Sequence, residues 1–134
     1  MAPPGTANRM LTFRNVHNWM KGEYAPVMFE AMFKALKPGG VLGVVEHRAP
    51  KGASRDTMVL SGYVTEAHVK KLASDAGFRF VASSEINANP KDTADHPSGV
   101  WTLPPSLRLG EKDRAKYLAI GESDRMTLRF VKPF

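Results

Sequence analysis

The chain has 134 residues, no cysteine, and 19 basic against 13 acidic side chains, giving a formal net charge of +6 and a pI near 9.8. That length suits one domain with a core of useful size, and the lack of cysteine excludes disulfides, thiolate metal sites and cysteine nucleophiles. The basic residues are scattered, with pairs such as Lys70-Lys71 the densest clusters, so the charge reads as a solvated surface rather than a nucleic-acid face.

In chain order, residues 1–9 read as a disordered leader with two prolines, a glycine and no apolar stretch. No segment approaches the roughly 18 apolar residues of a membrane span, which implies no membrane and a cytoplasmic chain. Residues 10–13 (MLTF) make a strand that runs directly into a polar cluster, Arg14, Asn15, His17, Asn18 and Trp19. A helix is expected from near Tyr24, where Pro26 is tolerated in the first turn and Val27, Met28, Ala31, Met32, Ala35 and Leu36 form its apolar stripe. Lys37-Pro38-Gly39-Gly40 should stop it.

Residues 41–45 (VLGVV) are apolar or small without alternation, the pattern of a strand covered on both faces, and they end in Glu46, His47 and Arg48. Residues 49–62 read as loop. Thr65 as N-cap and Gly77 as C-cap bound a second helix, with Ala67, Val69, Leu72, Ala73 and Ala76 inward. A strand over 78–83 follows, with Phe78, Phe80 and Ala82 on one side. Residues 85–110 are long, polar and proline-rich, a length that often marks function or an interface. A short helix over 111–120 and a strand over 126–131 close the chain. This β-α-β-α-β-loop-α-β order predicts an α/β sheet with right-handed crossovers.

The stretch ALKPGGVLGVVEHR resembles the fifth-strand region of class I S-adenosylmethionine-dependent methyltransferases. With FRNVHNW before it and NPKDTADHPSGVWTLPP and IGESDRMTLRFVKP after it, the chain is similar to a group of bacterial proteins described as predicted methyltransferases. The resemblance implies a Rossmann-like methyltransferase half-fold occupying residues 10–134. Residues 10–13, 41–45, 78–83 and 126–131 would be strands four, five, six and antiparallel seven, in spatial order 4-5-7-6. It also implies S-adenosylmethionine as cofactor. The family's glycine-rich turn after strand one and acidic residue after strand two have no counterpart among these residues, so this chain alone is expected to bind the cofactor weakly or not at all, with its cofactor-binding residues unknown.

Under that resemblance, the cluster beyond strand four lies where ligands bind, outside the carboxyl ends of parallel strands. Asn15, His17, Asn18, Glu46 and His47 are the candidate catalytic residues, with His17 as general base. Arg14, Trp19, Arg48, Asp92, His96 and Trp101 are the candidate substrate contacts; Trp19 could cover an aromatic or a sulfonium. For the long loop, a lid of Asp92, Asp95, His96 and Trp101 and a hydrophobic plug of Trp101 with Pro104 and Pro105 both stand. Two histidines and a carboxylate also permit a metal, but an ion pair of Glu46 with Arg48 or Arg14 is preferred and no metal is expected. The expected partner is a second copy, joined through the unpaired edge of strand 10–13, or a separate amino-terminal half. The rival to an enzyme is a non-enzymatic, self-associating module that reuses the half-fold.

Overall fold

The computed structural model describes residues 2–134. A four-stranded mixed sheet organises the chain. β1 (Ala7–Phe13) pairs in parallel with β2 (Leu36–His47), which pairs antiparallel with β4 (Arg125–Val131), which pairs antiparallel with β3 (Arg79–Ser84). The order β1-β2-β4-β3 is the expected 4-5-7-6, with the last strand reversed as anticipated.

β1 starts earlier than expected. Residues 7–9 belong to the sheet rather than to a disordered leader, and the N–H groups of Gly5 and Thr6 donate to the carbonyls of Lys34 and Ala35. Helix α1 (Val16–Lys21), which the residue pattern does not announce, carries the polar cluster, and α2 (Ala25–Ala35) starts just after Tyr24, with Pro26 in its first turn as expected.

Lys37-Pro38-Gly39-Gly40 does not separate helix from strand. β2 already begins at Leu36, and the pairing jumps from Ala7↔Leu36 to Arg9↔Val41, so the four residues loop out as a bulge. Lys132 closes this corner: its Nζ donates to the carbonyls of Phe33 and Leu36 at 2.8 and 2.9 Å, satisfying the end of α2.

α3 (Arg55–Ser61) occupies part of the segment expected to be loop. Ser54 caps it by accepting the Thr57 N–H, but only Met58 is buried, too little to leave a periodic signal. α4 (Glu66–Ala76) has the expected Thr65 and Gly77 caps; Val69, Leu72 and Ala73 are buried, whereas Ala67 faces solvent. A 3-10 turn, Gly99–Thr102, lies in the long loop, and α5 (Arg114–Ile120) follows it. At Gly99 (φ +61°) a Cβ would meet the Ser61 carbonyl oxygen at 2.4 Å, so this loop docks backbone to backbone against the end of α3.

The main core lies on one face of the sheet. Leu42, Val44, Met126, Leu128 and Phe130 meet Val16, Met20, Phe29, Met32, Met58, Val69 and Leu72 from the helices. Each large side chain fully buried there contributes about 1.5–3 kcal/mol. The other face departs from the expectation that 41–45 is covered on both sides. Val41, Gly43 and Val45 are only half-buried, and Leu11 and Phe13 beside them are 66% and 53% exposed. The strand is apolar on both faces, yet helices of this chain cover only one. No helix among the described residues is long and apolar enough to cross a membrane.

Candidate functional site

β1 and β2 end on the same edge of the sheet, and the antiparallel β4 starts there. Three chain segments therefore deliver side chains to one place. Beyond β1, Arg14 takes a left-handed conformation (φ 59°), its N–H bonded to the Val45 carbonyl at 2.7 Å, and the chain turns at once into α1. This turn sets His17 over the end of β2.

Glu46 is fully enclosed. Its Oε2 accepts the backbone N–H of His17 and its Oε1 that of His47, each at 2.9 Å, while Nδ1 of His17 lies 3.1 Å from both oxygens. The preferred partners for this carboxylate, Arg48 and Arg14, are not its partners: the His17 imidazole reaches it because α1 packs directly on the β2 terminus. A carboxylate that already takes two backbone N–H groups acts as an acceptor, so Nδ1 of His17 is the donor of this contact. Beside it, His47 Nδ1 is 2.5 Å from Ser123 Oγ, and that hydroxyl oxygen accepts from Arg125 Nε at 3.1 Å. Burial first, then the neighbouring His17, Arg125 and Arg14, push the His47 pKa down to about 3, so this imidazole is neutral at neutral pH.

Above these groups opens a cavity of about 300 Å³. Arg14, Asn15, His17, His47, Ser123 and Arg125 form its polar wall. Phe13, Val100, Trp101, Pro104 and Pro105 form the apolar one. Trp101 stands edge-on to His17, ring centroids 5.9 Å apart, with the Arg108 guanidinium over its ring. Of the residues singled out in the sequence, Arg14, Asn15, His17, His47 and Trp101 line this cavity, with Glu46 behind His17.

The others lie elsewhere. Asn18 is exposed on α1, and Trp19 packs edge-on against Phe29. Arg48 binds Asp124 through two N–H groups at 2.9 Å and also reaches Glu85 and Glu66, which holds its guanidinium charged. Asp92 accepts from the Tyr63 hydroxyl, the Ala94 and Asp124 N–H groups and His96 Nε2, all at 2.8–2.9 Å. Asp92 and His96 therefore anchor the long loop to the start of β4 rather than roof the cavity. Ser123 and Arg125, which were not among the candidate residues, also line the cavity, from the start of β4 and the residue two before it. Their signal was the reversed final strand, whose first residues must emerge where the parallel strands end.

His17, Glu46 and His47 also offer three potential metal-ligand atoms within 4.8 Å of one another. The carboxylate already receives three N–H donors, and two guanidinium groups line the same cavity, which opposes a further cation.

No family model and no curated protein matches the chain. Solved structures do. A [4+2]-cyclase, SpnF, superposes with a TM-score of 0.62 at 15% identity, covering 98% of this chain and 51% of its own. A SAM-dependent methyltransferase from Methanosarcina mazei gives 0.62 at 10% identity, over 99% and 62%. A phosphoethanolamine N-methyltransferase from Haemonchus contortus, solved with phosphomonomethylethanolamine and S-adenosylhomocysteine, gives 0.58 at 15%, over 100% and 35%. The chain thus has the fold seen in S-adenosylmethionine-dependent methyltransferases, and spans about half the length of such structures.

Proposed function

We propose that the chain is the acceptor-binding half of an S-adenosylmethionine-dependent methyltransferase, in which His17 accepts the proton that the methylated atom must lose. The observation that carries this reading is the His17–Glu46 pair at a cavity formed where two parallel strands end. Glu46 orients the imidazole, fixes its tautomer and stabilises the imidazolium formed after proton transfer, as a buried carboxylate does for a catalytic histidine elsewhere. Asn15 and Ser123 supply hydrogen bonds that orient the acceptor, and Trp101 with Pro104 keeps water from its apolar side.

The cofactor would supply the electrophilic methyl group, but the residues present do not form a cradle for it. The eleven glycines include no G-x-G turn, and the Gly39-Gly40 pair lies at the opposite end of β2 from the cavity. The remaining binding groups must come from polypeptide on the open side of β1. A tritiated-methyl transfer assay on the product of the complete reading frame tests this. Transfer that falls at least about a hundredfold in kcat in His17→Gln supports it, the size expected for a lost general base. Transfer untouched by that change overturns the role of His17.

A second reading has its own observation. Leu11 and Phe13 stand exposed on an edge strand, paired only with β2 among the described residues, a surface that suits a non-enzymatic, self-associating module. A complete reading frame without a glycine-rich strand turn would favour it.

A further inference from the structure

We infer that the cavity takes a small amphipathic acid, an apolar body with a carboxylate or phosphate head, the head held between Arg14 and Arg125. This deepens the acceptor-site reading above and rests on it only in taking this cavity as the binding site.

The charges of the lining point one way. Two arginines and two histidines face the space and no aspartate or glutamate does, since Glu46 lies behind His17 with its oxygens occupied by three N–H groups. Arg14 takes part in none of the ion pairs among the described residues. Arg125 gives Nε to Ser123 and meets only the exposed Glu122, at 3.6 Å. An unpaired guanidinium beside a second, weakly engaged one is arranged to receive a planar or tetrahedral oxyanion through paired N–H bonds.

His47 lies within the field of the same two arginines, which add to burial and to His17 in lowering its pKa. Both arginines help hold that imidazole neutral, which is what a positive local potential does. A neutral His47 bonded to Ser123 then adds a neutral polar contact rather than a competing charge. The apolar part of the lining, Phe13, Val100, Trp101 and Pro104, leaves room for one ring or a short chain within about 300 Å³. Together the walls sort the ligand: head to the arginines, body to the tryptophan, and the atom between them within reach of His17.

The experiment follows the histidine and backbone NMR signals of the whole chain, titrated with inorganic phosphate and with benzoate against chloride at equal ionic strength. Saturable shifts at His17, His47 and Ser123 are expected with one or both probes; whichever saturates identifies the head group. Arg14→Gln and Arg125→Gln should each weaken binding about tenfold, while Lys91→Gln, on the exposed loop, should not. Three results overturn the inference: neither anion saturating in a spectrum that stays dispersed, benzylamine or zinc binding there in preference, or equal affinity in the arginine variants. Because binding is read without methyl transfer, the two proposals fail separately. Anion binding in an inert enzyme would remove the enzymatic reading alone. Transfer to a neutral or cationic acceptor would remove this one alone.

Discussion

Nδ1 of His17 lies 3.1 Å from each carboxylate oxygen of Glu46, a residue 29 positions away that also holds the backbone N–H groups of His17 and His47. One buried side chain thereby joins the first turn of α1 to the end of β2. Removing it strands three N–H donors. Glu46→Ala should destabilise the fold by about 3–5 kcal/mol, and Glu46→Gln, which keeps an acceptor oxygen, by about 1–3 kcal/mol. Urea unfolding measures both. An alanine variant within about 1 kcal/mol of the parent would mean that the pair does not hold the helix.

His47 sets a pH dependence. Its folded pKa, near 3, lies below the 6.5 of an unfolded histidine, so between these values the unfolded chain binds the extra proton. The contribution is complete above pH 6.5 and is lost as pH falls toward 3, at up to about 1.4 kcal/mol per unit. Urea midpoints at pH 7.5 and pH 4.5 should differ accordingly, and the difference should shrink in His47→Gln. An equal slope in parent and variant would assign the acid sensitivity to other groups.

S-adenosylmethionine should bind this chain weakly or not at all, because the glycine-rich turn and ribose acid that the family resemblance calls for are missing from its residues. Isothermal titration at millimolar ligand checks this. A micromolar dissociation constant would show that another part of the chain has rebuilt the site.

The open side of the sheet should find a partner, and in the pure protein that partner is a second copy. Among the described residues β1 has no neighbour on its outer edge, Leu11 lies over Gly43 on the uncovered face, and Phe13 stands beside Val45. An isologous edge-to-edge contact would pair the free N–H and C=O groups and close on itself. Light scattering after size exclusion should give a dimer that Leu11→Lys or Phe13→Lys disrupts. A monomer near 14.7 kDa throughout the micromolar range would end this proposal.

The sheet was legible in the sequence because its signals are local. Apolar runs at 10–13 and 41–45, the alternation at 126–131, the Thr65 and Gly77 caps, and Pro26 in a first turn each report a backbone preference that neighbouring residues do not reverse. The strand-end rule then placed Asn15, His17 and His47 at one edge. Six-residue α1 and seven-residue α3 left too few apolar positions for any period, and the four-residue bulge before Val41 left no trace because proline and two glycines read as a stop. Partner choice was the part only the tertiary structure decided. Arg48, Glu46, Asp92 and His96 are equally polar in sequence, yet the packing of α1 gives Glu46 to His17, and the anchored loop gives Arg48 to Asp124 and Asp92 to Tyr63 and His96. Composition can place a charged residue near a strand end. Which opposite group reaches it through 2.9 Å of buried space depends on segments 29 to 76 positions away, and only the folded chain brings those together.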